Sequence, residues 1–141
     1  VEIGGHPILW HIMQTYLSHG FKEFEVLAGY KQEMIKRYFS EYLTITSDVT
    51  FNLGNGLVEH LNPNMTPNWK VTVINTGLNT PTGGRIFANR DRLKGSTFFC
   101  TYGDGLSDID IQGLLEFHES HGKIATVTVV FWASLPDDQV I

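Results

Sequence analysis

A single cysteine, Cys100, stands in a chain of 141 residues. No internal disulfide is available to it, and a reducing compartment is the simpler setting. Positive charge is scarce as well: ten Lys and Arg against fifteen Asp and Glu leave a net charge of −5. No basic run exists to follow a phosphate backbone, which excludes charge-driven nucleic-acid binding. No apolar run reaches the length of a bilayer and no signal peptide opens the chain, so no membrane partner is expected and the setting reads as cytoplasmic. What is present points to a folded protein. Apolar residues make up 42% of the chain, with nine Phe, five Tyr and three Trp. Disordered segments lack the aromatic and branched side chains that offset chain entropy, so that class is excluded too. The length allows one ordinary domain, able to bury about two thirds of its unfolded surface.

The chain opens on Val1-Glu2-Ile3-Gly4-Gly5 and runs into a helix. At the other end Val127, Val129 and Val130 give way to Trp132-Ala133-Ser134-Leu135-Pro136-Asp137-Asp138. Both ends read as cuts through a longer protein.

Pro7 suits a first helical turn, where its missing N–H costs nothing. Ile8, Leu9, Ile12, Met13, Tyr16 and Leu17 then recur three and four apart, one stripe of an amphipathic helix that Gly20 ends. A strand is expected over 24–29. A second helix carries Met34, Ile35, Tyr38, Phe39 and Tyr42 on its inner face. Val49, Phe51 and Leu53 alternate before the turn Gly54-Asn55-Gly56, the pattern of a hairpin over 48–61. A loop follows over 62–68, then a strand at Val71, Val73 and Ile74, then a Gly- and Thr-rich loop over 76–84 and a helix over 86–93. Thr97-Phe98-Phe99-Cys100-Thr101 reads as an apolar strand. Asp108 or Asp110 can cap a helix holding Ile111, Leu114, Leu115 and His118, closed by Gly122, and a last strand is expected over 124–131. Short apolar strands spaced by helices argue an α/β fold with a mainly parallel sheet flanked by helices and a β-hairpin insertion.

Ligands of open α/β sheets bind beyond the carboxyl ends of the strands, and two loops lie there. In Thr80-Pro81-Thr82-Gly83-Gly84-Arg85 the glycines let a ligand approach the backbone, a following helix offers free N–H groups, and Arg85 matches phosphate oxygens. The plain alternative is a Gly-rich turn with a solvated arginine. In Tyr102-Gly103-Asp104-Gly105 a carboxylate between glycines is open to a metal, and Mg²⁺ takes one or two protein carboxylates with phosphate oxygens and water. Asp108 and Asp110 lie close enough in sequence to assist, although capping accounts for at least one of them. Here the alternative is a turn with an N-cap aspartate. His118 and His121 have ligand-like spacing without a third partner and read as ordinary half-buried histidines; His11, His19 and His60 have no partner in the sequence. Cys100 reads as a buried, inert thiol and Trp69 as core. Lys31, Lys36 and Arg37 with Glu33 and Glu41 form a solvated helix face.

These residues resemble a known family. The opening run to Met13, with Gly29-Tyr30-Lys31, Ser47-Asp48-Val49-Thr50-Phe51, Asn75-Thr76-Gly77, Thr82-Gly83-Gly84-Arg85 and Thr101-Tyr102-Gly103-Asp104-Gly105, is similar to sugar-phosphate nucleotidylyltransferases. The likeness runs from Val1 to about Val129, and the spacing of the last two motifs matches the cytidylyltransferase branch. The resemblance implies a Rossmann-like nucleotidyltransferase fold, here as an incomplete domain over residues 1–141. It implies attack of glucose 1-phosphate on the α-phosphorus of CTP, giving CDP-glucose and pyrophosphate in bacterial polysaccharide biosynthesis. By the same resemblance Asp104 holds Mg²⁺, Thr80, Thr82, Gly83, Gly84, Arg85 and Gly103 contact the nucleotide, and Asp104 and Arg85 serve catalysis.

The family's Gly-Gly-x-Gly-Thr-Arg loop and following lysine do not occur in the chain, nor does its C-terminal half with a second metal-binding aspartate. Position 6 is His where Lys is usual, and the pattern is lost after Phe131. An uncovered sheet edge invites association with further copies, so a homo-oligomer is expected. Two other readings stay open: a non-catalytic module that binds a nucleotide or sugar phosphate, and a relative using UTP, dTTP or another sugar phosphate.

Overall fold

A computed structural model describes residues 2–62 and 66–129. Two compact units divide the chain, residues 1–106 and 107–141.

The first unit opens with a miniature hairpin, β1 (Glu2–Ile3) against β2 (His6–Pro7). Gly4 and Gly5 turn it at φ of 56° and 81°, the positive values a tight hairpin turn requires. The sequence pattern alone did not foresee this pair. Helix α1 (Ile8–Ser18) follows, with Pro7 just before it in extended geometry. The expected stripe is present, and Ile12 and Met13 form its buried centre.

After Gly20, β3 (Glu23–Ala28) leads into α2 (Gln32–Thr46). The α2 stripe holds except at its start: Ile35, Tyr38, Phe39 and Tyr42 are half-buried, whereas Met34 is exposed. Met34 lies in the first turn, directly after Lys31, which takes a left-handed φ of 56°. The chain then forms an antiparallel pair, β4 (Asp48–Asn52) with β5 (Leu57–Leu61). The Gly56 N–H donates to the Asn52 carbonyl at 2.8 Å and the Asn52 side chain accepts from Gly54 N–H at 3.1 Å, closing the turn.

Strand β6 (Lys70–Asn75) returns beside β3 in parallel, from Glu23 opposite Lys70 to Ala28 opposite Asn75. The start of this ladder is framed by aromatic rings. Trp69 meets Trp10, Phe24 and Tyr42 at centroid distances of 6.0, 6.2 and 6.2 Å. The Trp10 indole N–H donates to the Tyr42 hydroxyl at 2.9 Å. Rings at these distances and angles add edge-on attraction to their burial, and this cluster locks α1 and α2 around the strands.

Helix α3 spans Thr82–Ala88 and a short α4 spans Arg90–Leu93. The helix begins four residues before the expected 86, because Pro81 in extended geometry supplies a ready start and places Gly83, Gly84 and Arg85 inside the helix. Asn89 between the two helices is buried, and its side-chain amide donates to the Arg85 carbonyl at 2.9 Å.

The strand expected over 97–101 does not form. Those residues join no ladder among the described residues, and the parallel sheet consists of β3 and β6 alone. A strand's N–H and C=O groups need a neighbour, and apolar content cannot substitute for one. Phe99 is still half-buried, 5.5 Å from the Tyr16 ring and 5.0 Å from Phe21. Cys100 is exposed rather than buried, and no strand pairs with its segment among the described residues.

In the second unit α5 spans Ile111–His121. Asp110 caps it, accepting from the Gly113 N–H at 3.0 Å, and Gly122 closes it at a left-handed φ of 62°. Replacing Asp110 by Ala is expected to destabilise this helix by about 0.5–2 kcal/mol, checked by hydrogen exchange of the first-turn amides. The last expected strand is absent over 124–129, where Ile124, Val127 and Val129 are exposed; residues 130 and 131 lie outside the described residues. No helix among the described residues is long and apolar enough to cross a membrane.

Candidate functional site

The carboxyl ends of β3 and β6 carry a dense polar network. Beyond Asn75, the Thr76 N–H and hydroxyl both donate to the Ala28 carbonyl at 2.9 Å, extending the strand pairing by one residue. The Asn75 side chain accepts from the Gly77 N–H at 3.0 Å, and the Thr80 hydroxyl donates to the Thr76 carbonyl. Into this loop reaches Arg85 from α3. Its Nη1 donates to the Thr76 hydroxyl and, at 3.0 Å, to the Gly77 carbonyl, while Nη2 donates to the Leu78 carbonyl at 3.4 Å. Three of the five N–H groups that a guanidinium carries are therefore taken by the chain's own loop.

Two glycines shape the space. Gly77 takes a φ of 91°, and a Cβ there would stand 2.8 Å from the Thr80 hydroxyl. Gly29, at the end of β3, lies under the guanidinium: a Cβ there would stand 2.5 Å from Nη1 and 2.8 Å from the Gly77 carbonyl. Gly84 is also close-packed, with Thr80 Cγ2 3.1 Å from where its Cβ would be, whereas Gly83 faces open space. Thr80, Gly84 and Arg85 are thus brought together at one strand end, with Thr82 and Gly83 beside them on α3. Thr76 and Gly29 belong to the same constellation. Sequence reasoning did not single them out as site residues; a glycine ending a strand was the available signal for Gly29.

Asp104 occupies a separate turn. It is exposed, and Gly103 and Gly105 leave it uncrowded: a Cβ at Gly103 would meet only Leu9, at 3.8 Å, and one at Gly105 nothing within 4 Å. Since Phe99 lies on Tyr16 and Gly103 lies by Leu9, the 97–103 segment runs back along α1 toward its start. No hydrogen bond or ion pair among the described residues links Asp104 to the Thr80–Arg85 segment. No cluster of three metal-binding side chains occurs among the described residues either. Asp108 and Asp110 fall in the second unit, and Asp110 is engaged as a helix cap.

The histidines are accounted for locally. His118 Nδ1 and His121 Nε2 both meet the Thr126 hydroxyl, at 2.8 and 2.9 Å. His11 Nε2–H donates to the Ile3 carbonyl at 2.9 Å, and His60 lies 3.2 Å from the Ser47 hydroxyl. His6 stacks on Trp10 at 4.1 Å and meets the Tyr38 hydroxyl at 3.0 Å. Burial, then the neighbouring Tyr42 and Glu2, push the Tyr38 phenol up to about 12 from the usual 10. A raised phenol pKa means that the folded state holds its proton longer than the unfolded chain does. Tyr38 therefore contributes stability that is intact below pH 10 and is lost as pH rises through 12. Unfolding midpoints measured between those values should fall, and Tyr38→Phe should flatten the decline. A shallow hollow of about 460 Å³ lined by Ile86, Arg90, Asp91, Leu93, Lys94 and Phe98 includes none of the expected site residues.

Over 132 residues, 93% of its length, the chain is 46% identical to glucose-1-phosphate cytidylyltransferase of Salmonella typhimurium. The chain is homologous to glucose-1-phosphate cytidylyltransferases. A probable enzyme of the same name from Bacillus subtilis is 44% identical over 126 residues, 89% of this chain. More distantly, a mannose-1-phosphate guanyltransferase of Gibberella zeae shares 23% over 129 residues, 92% of this chain and 30% of its own length. The chain spans about half the length of the two cytidylyltransferases, 51% and 49%. No family model matches it.

Proposed function

We propose that this chain contributes the nucleotide- and metal-binding part of a glucose-1-phosphate cytidylyltransferase, which transfers CMP from CTP to α-D-glucose 1-phosphate and releases pyrophosphate. The observation that carries the reading is the 46% identity to such an enzyme across 93% of the chain. In this reading residues 1–141 form one nucleotidyltransferase domain of Rossmann-like topology, with β4–β5 as its hairpin insertion. CTP lies at the carboxyl ends of β3 and β6, where open α/β sheets bind ligands. Thr80, Thr82, Gly83 and Gly84 contact it there, Arg85 brings positive charge to the same loop, and Gly103 lies alongside.

The donor set at Asp104 suits Mg²⁺: one exposed carboxylate between unhindered glycines leaves most of the octahedron to phosphate oxygens and water. Such an ion supplies charge neutralisation to phosphate oxygens that otherwise repel an incoming phosphate. The chain's own residues hold the polyphosphate in line for attack, the positioning that contributes much of such catalysis. The two-stranded sheet leaves β3 and β6 edges open among the described residues, and Phe51 and Leu57 on the hairpin are exposed, which supports assembly with further copies.

Calorimetric titration of the protein with CTP, with Mg²⁺ and then with EDTA in excess, tests the reading. Binding that needs the metal and prefers CTP to UTP and dTTP is expected. Equal binding of all three nucleotides, or binding unchanged by EDTA, would reject it. Residues 1–141, which do not contain the Gly-Gly-x-Gly-Thr-Arg loop, are expected to bind without turnover, and measurable formation of CDP-glucose by them would overturn that expectation.

A further inference from the structure

We propose that Arg85 is a positioning residue: its guanidinium, seated on the bare backbone of Gly29, ties the loop after β6 to the end of β3 and so holds Thr80–Gly84 where the nucleotide docks. The consequence for CTP rests on the reading of that loop given above; the tie itself does not.

The geometry is specific. Nη1 bridges the Thr76 hydroxyl and the Gly77 carbonyl, and Nη2 reaches the Leu78 carbonyl. Thr76 passes the tie onward, because its hydroxyl donates to the Ala28 carbonyl on β3 at 2.9 Å. Thr80 hangs on the same residue through the Thr76 carbonyl. One planar fork thus organises three consecutive residues of a loop that has no ladder of its own. A lysine ammonium cannot reproduce the fork, being a point charge with a single head. The place for the guanidinium exists because position 29 has no side chain; a methyl there would overlap Nη1, Nη2 and the Gly77 carbonyl, at 2.5, 2.6 and 2.8 Å. Gly29 and Arg85 lie 56 positions apart in sequence, yet each is needed for the other's placement.

The alternative is that Arg85 acts as a direct phosphate ligand through its remaining N–H groups. The two roles separate experimentally in the intact protein carrying Arg85→Ala, Arg85→Lys, Gly29→Ala and the double change Gly29→Ala/Arg85→Ala. Positioning predicts faster amide exchange over residues 76–80, about tenfold or more, in all three single variants, without any nucleotide present. It also predicts similar fold losses of affinity, about tenfold, for CTP and CMP, no rescue by Arg85→Lys, and a double variant that exceeds Arg85→Ala only by what the added methyl costs against the Gly77 carbonyl, 2.8 Å away. Melting curves identify any variant that fails to fold; should Gly29→Ala do so, Arg85→Lys carries the test.

Unchanged exchange over 76–80 in Arg85→Lys and Arg85→Ala overturns the proposal. So does a loss confined to CTP that Arg85→Lys restores, which is the signature of a phosphate ligand. If the unaltered protein binds no CTP while loop exchange responds as stated, the tie stands and the nucleotide reading falls.

Discussion

Met13→Ala should cost the first unit about 2–5 kcal/mol, the range for truncating a buried Met, Leu or Ile. Met13 is 1% exposed and is the largest fully buried side chain among the described residues. It lies beside Ile12 on the inner face of α1, with only Ala28 as a further buried apolar residue among the described residues of that unit. With so small a centre, each side chain carries a large share of a total that in ordinary domains is only about 5–15 kcal/mol. At about 4–8 °C per kcal/mol for a domain of roughly 100 residues, the melting temperature of the first unit should fall by about 8 °C or more. Leu53→Ala is the matched control. Leu53 is 93% exposed at the hairpin tip, and its truncation should fall within about 0.5 kcal/mol of no effect. Urea midpoints of the two variants decide the matter; equal midpoints would mean that α1 does not organise the unit.

The parts of the fold that were legible in the sequence are those whose signal is local. The stripe from Ile8 to Leu17, the strand before Gly29 and the Asp110 cap each follow from neighbours within one or two turns, and each is present. The parts that were not legible depend on distant partners. Phe98, Phe99 and Cys100 have the composition of a buried strand, but composition cannot show whether a neighbour lies alongside. Among the described residues none does, and Cys100 is exposed while Phe99 finds aromatic partners instead. Met34 fits the α2 stripe by spacing and still faces solvent, because the turn of Tyr30 and Lys31 leaves that end of the helix uncovered.

The site divides along the same line. Arg85 and Thr80 stand out by residue type, and a turn of Gly, Asp and Gly marks Asp104. The commitment of Arg85 to Thr76, Gly77 and Leu78 is a matter of three-dimensional geometry, and so is its seat on Gly29. A pattern of glycines and one arginine is compatible with either a solvated charge or a built network, and only the fold distinguishes them.

Asp104→Asn should weaken Mg²⁺-dependent CTP binding about 10- to 100-fold, the scale of one lost charged interaction of about 1.5–3 kcal/mol. The amide keeps the size and one oxygen of the carboxylate, so the change isolates charge. Mg²⁺ prefers hard anionic oxygen, and a single protein carboxylate supplies all the negative charge that this turn offers it. Without that charge the protein should bind CTP as weakly in Mg²⁺ as the unaltered protein does in EDTA. Stability should hardly change, since Asp104 is exposed and its flanking glycines leave nothing packed against it. Asp110→Asn provides the contrast: its carboxylate caps α5, so any effect should appear in the exchange of α5 amides and not in metal dependence. If Asp104→Asn kept full metal dependence while Asp108→Asn lost it, the metal would be held by the other aspartate. Retention in both would remove the metal from this end of the chain, and the remaining case for nucleotide transfer would stand on the sequence identity and the Thr80–Arg85 loop.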